Sequence, residues 1–140
     1  MLVNQHKLLY SICEACLKGM AILNIYLLGG FHLVYDSRPV DTVTNSRMQS
    51  LLAYLILHRE TSQPRQRLAC LFWPDSNEAQ ARTNLRNLIH LLRQALPGAK
   101  DYLHTDGPTI QWNPDSDFAL DVAELEKAMS AGAFDCDVNL

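Results

Sequence analysis

Residues 78–97, EAQARTNLRNLIHLLRQALP, carry one apolar stripe: Ala81, Leu85, Leu88, Leu92 and Ala95 recur at spacings of 4, 3, 4 and 3. Those steps keep side chains on one face of an α-helix and fit no strand. Ile89 and Leu96 widen the stripe, and Pro97-Gly98 ends it. Asp75 with Glu78 three residues on resembles a capping box, with Asp in place of Ser or Thr. The helix is expected over about 77–96.

The rest of that helix is not ordinary solvent-facing surface. With Leu85 at 0°, the stripe centres at about 340°, while Arg82, Arg93 and Arg86 fall at about 60°, 80° and 100°. His90, Thr83, Gln94 and Asn87 lie at about 140° to 200°. No Asp or Glu occurs from residue 79 to residue 100, whereas a solvated helix usually mixes signs. Arginines for solubility or salt bridges are one reading. The other is a helix in the DNA major groove. There Arg meets phosphates or the guanine edge, Asn and Gln pair with adenine, and a Thr methyl touches a thymine methyl.

The neighbouring segments bear on that choice. ILNIYLLGGFHLVYDSRPVDT reads as two or three antiparallel strands, broken at Gly29-Gly30 and at DSRP, with Val40 starting a short third strand. NSRMQSLLAYLILHRE reads as a helix capped by Asn45 or Ser46, burying Met48, Leu51, Leu52, Leu55 and Ile56. TSQPRQRLACLFWPD reads as a shorter helix with Pro64 in its first turn, Leu68, Leu71 and Phe72 inward, and Pro74 as its stop. YLHTDGPTIQWNP reads as a hairpin turning at Asp106-Gly107. DVAELEKAMSAG reads as a last helix with Val122, Leu125, Ala128 and Met129 inward. A short helix, a connector, a second helix with exposed polar groups and then a hairpin is helix-turn-helix logic with a wing. The hairpin itself offers His104, Thr105, Asp106 and Asn113 but no Lys or Arg, so closing a sheet is an equal reading for it.

Charge is unevenly spread. Residues 44–113 hold eight basic and five acidic groups, net +3, and residues 114–140 hold one basic and seven acidic groups, net -6. The overall net charge of -3 therefore conceals a basic middle. An apolar content of 48% without any run of about 20 apolar residues describes a globular chain with no expected membrane span. LLYSIC near the start lacks a basic flank and a small-residue cleavage site, so the cytoplasm is the expected compartment. Residues 1–21 are read as a leader without assigned function. Cys13 and Cys16 form a lone C-x-x-C, and reduced thiols are the plain reading beside a redox or metal role. No cofactor is expected.

An enzyme is not expected. LGGF lacks a phosphate-loop pattern, and His6, His32, His58, His90 and His104 are scattered. Asp115, Asp117 and Asp121 suit a turn and a helix cap better than a metal site.

LLGGF, RMQSLLAYLILH, LACLFWPDSNEAQARTNLRNLIHLLRQAL and TIQWNPDSDFALDVAELEKAM together resemble the OmpR/PhoB-type winged-helix domain at the N-terminus of SARP-type transcriptional activators. The resemblance spans roughly residues 22–130. It implies an α+β winged helix-turn-helix over 22–113, with an N-terminal antiparallel sheet of four strands, a three-helix core and a C-terminal β-hairpin wing. It implies that 114–140 is a linker and the first helix of a bacterial transcriptional activation domain, of which only the start is present. It makes the third helix the recognition helix, with Arg82, Thr83, Asn84, Arg86, Asn87, His90 and Arg93 as DNA contacts. Arg47, Arg65 and Arg67 are further candidates for phosphates. It also implies that the loop Trp73, Pro74, Asp75, Ser76 and Asn77 can face RNA polymerase, although Trp73 equally suits a core anchor. Double-stranded DNA in direct repeats, with two protomers side by side, is the implied partner. The competing function is a protein-interaction module that keeps this fold without DNA affinity.

Overall fold

Short, largely apolar runs separated by a glycine pair make β1 (Leu23–Tyr26) and β2 (His32–Tyr35), and a tight turn adds the short exposed strand β3 (Arg38–Pro39). They are seen in a computed structural model that describes residues 22–131. The leader, Cys13, Cys16, His6 and Cys136 lie outside the described residues. β1 and β2 pair antiparallel with Ile25 opposite Leu33, and β2 pairs with β3 across a two-residue turn. That turn is Asp36-Ser37, both at positive φ (50° and 63°), as a type I′ hairpin requires. The third strand is Arg38–Pro39, not Val40: a turn of two residues brings Arg38 directly opposite Tyr35.

The fourth strand comes from far along the chain. β7 (Phe118–Leu120) lies parallel to β1, giving the order β3-β2-β1-β7. The sheet is therefore mixed and not antiparallel throughout, and the segment read as a linker supplies one of its strands. Three residues are too few to show a periodicity. The helix α5 (Asp121–Ser130) follows at once. The buried Asp121 carboxylate accepts from the backbone N–H of Leu27 (3.0 Å), Leu28 (2.9 Å) and Val122 (2.8 Å). It thereby satisfies amides at the end of β1 and at the start of the helix. Beyond that first turn the expected inward stripe is not buried. Met129 is 64% exposed, Leu125 is also exposed, and Val122 and Ala128 are half-buried. Periodicity fixes which residues share a face, not what covers it.

Residues 22–39 and 117–131 pack as one unit, and residues 40–116 as another. In the second, α1 (Ser46–Leu57) is capped by Asn45 and buries Met48, Leu51, Leu52, Leu55 and Ile56, as expected. α2 (Arg65–Phe72) buries Leu68 and Ala69, but Leu71 is 54% exposed, contrary to the inward reading. Eight residues make barely two turns, so the buried face is narrow. Pro64 is not in the helix. It lies with Gln63 in a short edge strand, β4 (Gln63–Pro64), where a missing N–H costs nothing.

α3 (Glu78–Ala95) is the 18-residue helix expected from the stripe. Ala81, Leu85, Leu88, Ile89 and Leu92 are buried, with Leu96 just beyond its end. Its cap is Asn77, whose side chain accepts from the Gln80 N–H at 2.8 Å, and not Asp75. Asp75 falls in a turn closed by the Ser76 N–H on the Trp73 carbonyl, two residues too early. At the other end, the Thr42 hydroxyl donates to the Ala95 carbonyl, one of the acceptors a helix C-terminus leaves open.

Gly98 at φ 69° leads into a one-turn helix, α4 (Ala99–Tyr102), and then β5 (Leu103–Asp106) and β6 (Thr109–Trp112). Asp106 pairs with Thr109, so the turn residues are Gly107 and Pro108, one position later than expected. β4 adds to the far edge of β6, giving the order β4-β6-β5. Trp112 is fully buried and stacks on Tyr102, with centroids 5.2 Å apart. Leu51, Leu52, Leu55, Ile56, Leu68, Leu85, Leu92 and Ile110 are likewise almost wholly buried, each contributing about 1.5–3 kcal/mol by leaving water. The class is α+β.

Candidate nucleic-acid interface

The helix α3 is held by one side only. Its stripe is buried, while Arg82, Thr83, Arg86, Asn87, His90 and Arg93 are exposed and Asn84 is half-buried. α2 packs closely against it. Glu78 strengthens that contact, accepting from the Gln66 amide at 3.1 Å.

The three arginines differ in state. Arg82 pairs with Glu78, Nη2 to Oε1 at 3.2 Å, one helical turn away. Arg93 donates from Nη2 to the Thr105 hydroxyl on β5 at 2.7 Å. Arg86 has no ion pair or hydrogen bond among the described residues. It is the cation left wholly to solvent on this flank.

The neutral polar residues divide in the same way. The Thr83 hydroxyl is turned back onto the Ala79 carbonyl at 3.0 Å, leaving its methyl outward. Asn84 accepts from the Gln80 amide at 2.9 Å. Asn87 and His90 make no hydrogen bond with the described residues. Arg86, His90 and Asn87 thus form a contiguous outward group, at about 100°, 140° and 200° around the helix, with every side-chain donor and acceptor available.

Arg47 belongs to a different device. Its guanidinium donates to the Phe72 carbonyl at 3.0 Å and sits 5.0 Å over the Trp73 ring. A cation on the last carbonyls of α2 is favourable for the helix dipole, and the indole adds a cation–π contact. Arg65 is half-buried, and its backbone N–H donates to the Pro108 carbonyl at 2.8 Å, which joins the start of α2 to the hairpin. Arg67 is exposed on α2 without a partner among the described residues.

In the loop, Trp73 is half-buried between Arg47 and Phe72, with ring centroids 6.2 Å apart in the aromatic pair. Pro74 and Asp75 are exposed, Ser76 closes the turn, and Asn77 caps α3. Trp73 acts here as an anchor for the end of α2.

Glu78, Gln66, Gln80 and Thr105 were not among the expected site residues, yet they decide which polar groups remain available. Glu78–Arg82 and Gln80–Asn84 are i, i+4 pairs and could have been found by spacing. Thr105 carries no sequence signal, since only the fold brings β5 beside Arg93.

The Asp121 carboxylate is occupied by backbone amides, Asp115 lies in a turn where its backbone N–H donates to Asn113 Oδ1, and no group of three metal-ligating side chains forms among the described residues. Among the same residues no helix is long and apolar enough to cross a membrane. No model of a known protein family matches the chain, and no curated protein matches it either.

Proposed function

We infer that residues 40–116 act as a winged helix-turn-helix that binds double-stranded DNA sequence-specifically, as part of a cytoplasmic bacterial transcriptional regulator. The observation that carries this reading is the outward group Arg86, Asn87 and His90, which is polar, exposed and unengaged on a helix whose opposite face is buried. The order α1, β4, α2, α3, α4, β5, β6 supports it, since a short helix and connector before the exposed helix, and a hairpin soon after it, is the winged arrangement. α3 lies in the major groove, where an α-helix fits. Arg82, Arg86 and Arg93 meet phosphates along one flank, over about 16 Å of helix. Asn87, His90 and the Thr83 methyl face base edges, and Arg67 and Arg65 meet the backbone near α2.

The resemblance to SARP-type activators extends the proposal. Two protomers would occupy direct repeats, and Pro74 and Asp75 would be the loop residues that reach RNA polymerase.

A titration of the isotopically labelled chain with a mixed-sequence duplex, followed by amide shifts, tests the surface. Shifts concentrated on residues 82–93 are expected. Shifts absent from α3 would count against the assignment.

A second reading, a protein-interaction module without DNA affinity, is favoured by one observation. The hairpin tip carries Asp106 and no cation, while two of the three α3 arginines already have partners. Failure of the folded chain to bind duplex DNA even at low salt, where electrostatic binding is strongest, would favour it.

A further inference from the structure

We propose that Thr105 is a positioning residue for Arg93, so that the hairpin takes part in DNA binding through a cation borrowed from α3. The inference rests on the DNA-binding reading above. Between Leu103 and Trp112 there is no Lys or Arg, and the exposed Asp106 at the tip repels phosphate. This hairpin has no permanently charged cation of its own to set against a phosphate.

Arg93 supplies the missing charge. It lies in the last turn of α3, on the flank shared with Arg82 and Arg86, and reaches β5 to donate to Thr105 Oγ1 at 2.7 Å. Successive strand residues face opposite ways. Half-buried Thr105 therefore shares a face with buried Leu103, and exposed His104 and Asp106 share the other. Thr105 is held in turn by its register opposite Ile110, which is fully buried. Its hydroxyl is thus a fixed acceptor at the place where helix and hairpin meet.

A guanidinium has five N–H donors in a rigid fork. Thr105 takes one and leaves the others for phosphate oxygens. An exposed arginine normally samples many rotamers, and ordering it on binding weakens affinity. The Thr105 contact performs that ordering in the free protein. Arg93 also sits at about 80°, between the buried stripe and the outward face, which suits a phosphate beside the groove better than a base edge within it.

The test is anisotropy of the full 140-residue chain with a mixed-sequence duplex over a salt series, for the parent, Thr105→Val, Thr105→Ser, Arg93→Ala and Arg93→Ala/Thr105→Val. Thr105→Val keeps the charge and the branched shape but removes the acceptor. It should weaken binding by roughly three- to ten-fold, the ordering cost of one long side chain, with the salt slope unchanged. Thr105→Ser should bind as the parent does. Arg93→Ala should flatten the slope by about 0.9, and Thr105→Val should have no further effect in that background. Parent-like binding by Thr105→Val, or additive losses in the double variant, would overturn the positioning role while leaving DNA binding intact. A folded parent that shows no salt-dependent binding would overturn both readings.

Discussion

Glu78 Oε1 lies 3.2 Å from Arg82 Nη2 and 3.1 Å from the Gln66 side-chain nitrogen, so one carboxylate bridges α2 and α3 and holds a cation of the proposed interface. Both Glu78 and Arg82 are more than half exposed, and an i, i+4 pair of this kind contributes only about 0.3–0.5 kcal/mol to stability. Its larger consequence is electrostatic. The carboxylate competes with DNA phosphate for Arg82 and repels the phosphate as well. Glu78→Gln should raise affinity for mixed-sequence duplex by roughly five-fold at low salt and steepen the salt slope by up to about 0.9. A gain of binding cannot come from loss of folding. Unchanged affinity would mean that Arg82 stands away from the DNA.

Asn87 and Arg86 should separate by the kind of loss. Asn87→Ala is expected to relax discrimination at one base pair by about 1–3 kcal/mol, with little change on mixed sequence. Arg86→Ala, which removes the unpaired cation, should weaken binding to every duplex and flatten the slope by about 0.9. Selection of operators from a randomised pool, followed by single-base competition, reads the first. The salt series reads the second. Equal losses on all sequences for Asn87→Ala would remove it from the base-reading group.

Asp121 ties the end of β1 to the start of α5 through three backbone N–H groups. Asp121→Ala removes the acceptor from three amides, of which those of Leu27 and Val122 are on half-buried residues and that of Leu28 is on an exposed one, and should destabilise the fold by about 1–3 kcal/mol, the cost of leaving roughly one polar group unsatisfied. Urea unfolding measures this. A loss below about 0.5 kcal/mol would mean that water replaces the carboxylate without difficulty.

Tyr26 holds its phenol proton above the ordinary value of 10.0, because burial disfavours the phenolate and the carboxylates of Glu124 and Asp121 add to the effect. The folded state thus binds this proton more tightly than the unfolded chain. Below pH 10.0 both states keep it. As pH rises past that value the unfolded chain ionises first and folded stability falls. Tyr26→Phe should therefore lose less stability than the parent between about pH 9 and pH 11, one unit either side of the ordinary tyrosine value. Urea midpoints across that range decide it. Parallel losses in the two proteins would place the alkaline sensitivity elsewhere.

The large apolar stripes were legible in the sequence because they encode burial directly. The stripes of α1 and α3 are buried at the residues expected, except that Ala95 at the end of α3 is half-buried, and the β1–β2 and β2–β3 pairings follow the breaks at Gly29-Gly30 and Asp36-Ser37. What was not legible depends on long-range pairing. The strand β7 is three residues whose identity as a strand rests on β1, nearly a hundred residues away in the chain. β4 is two residues, one of them a proline, paired only because β6 presents an edge. Leu125 and Met129 follow helical spacing yet are exposed, since spacing says nothing about a covering surface. The site divides similarly. The arginine flank of α3 is a property of one helix and could be read locally. The engagement of Arg93 by Thr105 and of Arg47 by Phe72 and Trp73 needs tertiary structure.

The most direct test of the central claim is fluorescence anisotropy of the chain against mixed-sequence duplex DNA at several salt concentrations, beside the Arg82→Ala/Arg86→Ala/Arg93→Ala variant. DNA binding through α3 predicts a linear fall of log affinity with log salt, and a slope flatter by about two to three units in the variant. A folded chain that fails to bind at low salt, or a variant with the parent's slope, would contradict it.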